Sequence, residues 1–228
     1  MRSLKPMKEL QMNAKEYSEQ AHSTACHGGT LVYPMCALTE ELSEVFKAFW
    51  DGHTTEAHKF HVADELMDVV WNINEIAVLA SIDFSDIEKN AFEYAKRIAI
   101  ADEEVKIDYE KKFLNCLGHM VDKIGSINGI FAKYIRKHDG QLPNVSMLAV
   151  CAKNGWTAID SIPKNEMDHT LFRNKLIEPL VETMGAVIHA LDQIGFGLPE
   201  GYVINTTKLA KRKANNTLGG AGSVERKE

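Results

Sequence analysis

Two groups of acids carry the chemistry open to this chain: Glu40-Glu41-Leu42-Ser43-Glu44 and, further on, Glu65-Leu66-Met67-Asp68. Each sits in an apolar run with helical spacing, the first among Leu38, Leu42, Val45, Phe46 and Phe49. Carboxylates beside a core are costly unless something neutralises them, and a bound divalent cation does so. Helix positions three or four apart share a face. Ala37, Glu41, Glu44 and Ala48 therefore form one stripe, and His61, Glu65, Asp68 and Asn72 another. If the stripes face each other, four carboxylates meet in a small volume and cannot all stay ionised without a counter-ion. Hard oxygen ligands without thiolate select Mg²⁺ or Mn²⁺, and Mg²⁺ held this way takes phosphate oxygens as further ligands. Ligand chemistry alone thus leads to a phosphorylated substrate. Either cluster by itself reads as a solvated helix face; two on consecutive apolar helices point to a metal.

The elements that must position these acids are helical. Apolar residues recur at helical spacing almost throughout, without period-two alternation. The pattern predicts helices at 7–24, 34–51, 55–80, 84–100, 104–137, 169–194 and 199–214, with a short one near 146–153. Gly28-Gly29 divides the first two, Asp51-Gly52 ends the second, and Ser85 is placed to cap the fourth. Pro179 lies inside an apolar helical pattern, where a kink or restart is expected. The short turn at Gly52 makes the two acid-bearing helices antiparallel neighbours. The tail after Asn215, with Gly219-Gly220 and Gly222, reads as disordered.

A faint internal repeat runs through the chain. Asn90 to Arg97 resembles Asn205 to Arg212, and each follows a long apolar helix ending in an Ile-x-Phe turn, Ile82-Asp83-Phe84 or Ile194-Gly195-Phe196. The acids are not repeated. Where the first half has Glu40, Glu41 and Glu44, the second offers Asp122, Lys123 and Ser126, and it keeps only Glu178 and Glu182. The expected organisation is a helical half at 1–101 with the metal site, a degenerate half at 102–215 packed on it as an intrachain pseudo-dimer, and a tail at 216–228. Asp102 to Lys112 would join the halves.

The acidic pattern resembles that of the MazG-like all-α nucleoside triphosphate pyrophosphohydrolases, EExxE followed by ExxD on two helices of a bundle. Here it stands as Glu40-Glu41-x-x-Glu44 and Glu65-x-x-Asp68, the latter followed by Val69-Val70-Trp71. The approach from Tyr17 to Ala25 is similar to the first helix of phage-type members, and Asn90 to Arg97 to the family's third element. The resemblance covers about residues 10–100. Ser43 stands where many relatives carry Gly. The resemblance implies an all-α helical bundle in which Glu41, Glu44, Glu65 and Asp68 bind Mg²⁺. It implies cleavage of a nucleoside triphosphate between the α and β phosphates, giving a monophosphate and pyrophosphate for nucleotide pool control. Glu40 or Glu44 would orient the attacking water or accept its proton. Lys96 and Arg97 would neutralise the leaving pyrophosphate, and Asn72, Asn90 and His61 would touch substrate. Relatives assemble as oligomers, which makes a homodimer the expectation here. Two alternatives stay open: hydrolysis of another pyrophosphate-bearing nucleotide, and a non-catalytic protein that senses a nucleotide.

Other residues are weaker candidates. His53, His58 and His61 precede the second acidic motif, but no cysteine joins them in a zinc set. Trp50 and Trp71 sit at core spacing and could instead stack on a base. Lys208, Lys211 and Arg212 repeat the basic element and could reach the first half's site across the pseudo-dimer; a solvated helix face explains them as well. Met35, Met67, Met120 and Met184 read as core filler. Composition bounds the rest. With 45% hydrophobic and 25% charged residues over 228 positions, the chain can bury a substantial core. A net charge of −6 leaves no footprint for nucleic acid. No apolar run approaches the length of a membrane span, and Met1 to Gln11 holds no apolar signal core. Cys26, Cys36, Cys116 and Cys151 form no CxxC pair and read as reduced, mostly buried thiols of a cytosolic protein.

Overall fold

A computed structural model describes residues 12–52, 54–105, 108–155 and 159–215. The expected tail at 216–228, the start of the first expected helix, and His53 lie outside the described residues. The described chain is all-α: α1 (Ala14–His22), α2 (Val32–Asp51), α3 (Glu56–Leu79), α4 (Phe84–Val105), α5 (Tyr109–Lys137), α6 (Val145–Asn154), α7 (Lys164–Ile194) and α8 (Leu198–Ala214), with a 3₁₀ turn at Ile159–Ser161. No strand occurs among the described residues, and no described helix is long and apolar enough to cross a membrane.

Local chemistry explains most boundaries. Asn13 caps α1 in a reciprocal box with Glu16. Gly28 and Gly29, both left-handed, make the turn into α2. Thr55, Asp108 and Asn144 cap α3, α5 and α6 through their side chains. Three expectations change. Asp83, rather than Ser85, supplies the oxygen at the start of α4, accepting from the Ser85 N–H at 2.8 Å. The break expected near residue 100 is absent, because α4 continues to Val105, anchored by the buried Ile98 and Asp102. Helix α7 starts at Lys164 and runs through Pro179 without interruption. The Thr183 hydroxyl donates to the Pro179 carbonyl at 2.7 Å.

One apolar cluster collects residues from both sequence halves, from Tyr17, Leu38 and Leu66 to Leu117, Leu180 and Tyr202. Helix α2 packs on α3, and α5 packs on α7. Helix α4, which follows α3, packs on α7; α8, which follows α7, packs on α3 and α1. The exchange rests on close approach at Gly185, where an added Cβ would stand 2.8 Å from the Ala91 carbonyl of α4. The four methionines read as filler are buried. Trp50 is not core: at 71% exposure it stands on the outer side of α2, with the Phe49 ring tilted beside it. Of the four free thiols, Cys116 and Cys151 are buried, whereas Cys26 and Cys36 are exposed.

Candidate metal centre

The stripe on α2 and the stripe on α3 do meet. Carboxylate oxygens of Glu41, Glu44 and Glu65 all lie within 4.8 Å of one another. The helical spacing places Ala37 and Ala48, both buried, on either side of the α2 pair, and the small side chains let α3 come close. Glu65 is 2% exposed, and His61, one turn earlier, has Nδ1 3.4 Å from its Oε1. Burial, with Asp68, Glu44 and Glu65 nearby, raises the Glu41 carboxyl from 4.5 to about 8. A carboxyl shifted that far wants a positive charge beside it. The all-oxygen donor set fits Mg²⁺ or Mn²⁺.

Asp68 shares the α3 face but has a different neighbour. Both its oxygens accept from Lys208 Nζ at 2.7 Å, and Oδ1 also accepts from Asn205 Nδ2 at 2.9 Å. Lys208 reaches Asp64 as well, at 2.8 Å. Burial pulls the Lys208 ammonium down, but Asp68 and Asp64 together outweigh it and its pKa is raised. Helix α8 is aimed here by a stack of Tyr17 on Tyr202, ring centroids 4.2 Å apart, and by the Tyr17 hydroxyl donating to Asn205 Oδ1. Beside Lys208 opens a cavity of about 460 Å³ lined by Phe60, Asp64, Lys211 and Arg212 among others.

The remaining expected site residues separate. Asn72 is buried below Asp68, its amide donating to the Asp68 carbonyl. Glu40 is exposed on α2 and outside the carboxylate triad. Lys96 donates to Glu93 of its own helix, Arg97 lies over the Tyr94 ring, and the Asn90 amide donates to the Asp86 carbonyl. All three engage α4 itself; Lys208, from the second half, is brought to the acids instead. His58 is exposed and lies against the Gly52 turn, and among the described residues no histidine joins the metal-capable group.

Sequence reasoning passed over Asp64, Asn205 and Glu75. Glu75 extends the α3 stripe by one more turn beyond Asn72, and that periodicity was its only signal. Asp64 lies one turn before Asp68, and Asn205 stands where the repeat has Asn90; those were their signals, and the placement of α8 makes them part of the site. Protein-family models, curated proteins and solved structures yield no match to this chain.

Proposed function

We propose that the chain is a Mg²⁺-dependent nucleoside triphosphate pyrophosphohydrolase of the MazG-like kind, built as an intrachain pseudo-dimer in which only the first half holds a metal site. The observation that carries this reading is the convergence of Glu41, Glu44 and Glu65 from two antiparallel helices within 4.8 Å. Those three would hold the ion, with Asp68 beside them. When bound, Mg²⁺ supplies neutralisation of the phosphate oxygens and acidification of a bound water. Glu44 belongs to the triad and Glu40 flanks it one turn earlier, so each is a candidate to orient that water and accept its proton. Lys208, with Lys211 and Arg212 lining the adjoining cavity, offsets the charge of the polyphosphate. This takes over the task the sequence assigned to Lys96 and Arg97. The scissile bond, between the α and β phosphates, follows from the family resemblance. Cytoplasmic nucleotide pool control and a homodimer of the whole chain belong to the same reading.

The test is a panel of ribo- and deoxynucleoside triphosphates incubated with the protein and Mg²⁺, with pyrophosphate and monophosphate quantified. Pyrophosphate release that is lost in folded Glu41→Gln protein supports the hydrolase. Orthophosphate in its place refutes the bond assignment. A sensing role is favoured by one observation, the Lys208 ammonium already engaged with both oxygens of Asp68. Binding without turnover across the panel would select it.

A further inference from the structure

The α3 stripe continues past Asn72 to Glu75, whose side chain is fully buried. Glu75 Oε2 stands 2.9 Å from both His22 Nδ1 and His27 Nε2, and Oε1 accepts from Asn74 Nδ2 at 3.1 Å. The two histidines differ in setting: the His27 side chain is 2% exposed and that of His22 44%. An ionised carboxylate oxygen only accepts, so the ring nitrogens facing it carry protons. With Nε2 committed as the N–H, a neutral His27 ring presents Nδ1 as an acceptor. That Nδ1 is buried and has no partner among the described residues. The same is true of the donor Trp71 Nε1 and, on the next residue of α3, the acceptor Asn72 Oδ1.

His27 and Trp71 belong to one ring cluster. His27 stacks on Tyr33 at 6.1 Å and meets Trp71 edge-on at 6.2 Å, while Tyr33 meets Trp71 at 6.3 Å. Tyr33 is half exposed and so leaves an aromatic face open. Burial and then Glu41, Glu40 and Asp68 raise its phenol, which sets the cluster at the border of the acidic site. Buried polar atoms normally find partners. His27 Nδ1 and Trp71 Nε1 without one, beside an open aromatic face, mark a place that a flat polar ring would complete.

We propose that Glu75 is a positioning residue: it holds His27 as the Nε2–H tautomer, so that Nδ1 accepts a hydrogen bond from an N–H of the nucleotide's base. The proposal rests on the nucleotide reading above. The role resembles that of any carboxylate fixing the far nitrogen of an imidazole, here aimed at recognition.

Two measurements on the full chain test it. Long-range ¹H–¹⁵N spectra of the nucleotide-free protein are expected to show His27 protonated at Nε2, and Glu75→Gln to lose that fixed tautomer. In turnover assays, Glu75→Gln raises KM for the preferred nucleotide by roughly 10- to 100-fold and leaves kcat nearly unchanged. His27→Ala does the same, and combining the two adds nothing further. His22→Asn leaves KM within about threefold, since His27 keeps its carboxylate. Melting curves establish that each variant is folded. Should the wild type hydrolyse nothing, the hydrolase reading fails by itself, and affinities for α,β-imido triphosphates replace KM in the same comparison. An Nδ1–H tautomer in the wild type, or an unchanged KM and affinity in Glu75→Gln, overturns the proposal.

Discussion

In the α2–α3 pair, Glu41, Glu44 and Glu65 crowd together and Lys208 arrives from α8 to hold Asp68. In the α5–α7 pair, Lys123 sits on the partner helix itself, 2.9 Å from Asp122 and 3.1 Å from Glu182. Above it lie Tyr94 and Arg97 of α4, with Tyr94 Oη 3.4 Å from His119 Nδ1. Both regions pair two long helices and take a helix from the other half of the chain across them. They differ in who supplies the positive charge. The second region has it built in as an ammonium, and its acids are satisfied. In the first, burial and the neighbouring carboxylates outweigh the pull of Lys208 on Glu41, whose carboxyl stays elevated. A surplus of buried negative charge is a demand for a cation; a closed ion pair is structure.

Acid removal separates the regions most sharply. Glu41→Gln or Glu65→Gln is expected to cut pyrophosphate release by about 100-fold or more, whereas Glu182→Gln leaves it within about twofold. Equal losses in steady-state assays would end the distinction. On the proposed reading, Lys208→Met should cost about 10- to 100-fold in turnover while Lys123→Met costs none, because only the former stands beside the acidic site.

Packing offers a third contrast. Gly185→Ala drives a methyl at the Ala91 backbone and the Tyr94 ring, and should destabilise by about 1–3 kcal/mol in chemical denaturation. Gly201→Ala meets the flexible Met67 side chain first, Sδ at 2.5 Å, rather than backbone, so its effect is smaller. The smallest effect is a pH dependence. A carboxyl raised on folding contributes stability that is full below its ordinary 4.5 and is lost as pH rises through about 8. The melting temperature without Mg²⁺ should therefore fall across that window more steeply in the wild type than in Glu41→Gln. Added Mg²⁺ should restore it at the alkaline end. Superimposed wild-type and variant profiles would count against a strained Glu41.

How much of this was legible in residues alone varies along the chain. The α2 and α3 stripes were readable because helical spacing fixes which side chains share a face. The caps of α3 and α5 lie where Thr55 and Asp108 announce them. Trp50 misled because its spacing is that of a core residue while its position faces outward beyond the α2 contact. The place of Lys96 and Arg97 was not legible, because the first copy of the basic element follows its own acidic helices in sequence, yet α4 packs on α7.

The sequence by itself determined an all-helical chain with two acid-striped faces, since periodicity and side-chain type act over one or two turns. Only tertiary structure decided which cation meets those acids. Lys208 and Asp68 are 140 positions apart, and no local rule joins them. Their pairing follows from the burial of Tyr17, Tyr202 and Phe84 against one another, which lays α8 across α3 for the sake of apolar surface and brings its polar edge to the acidic face.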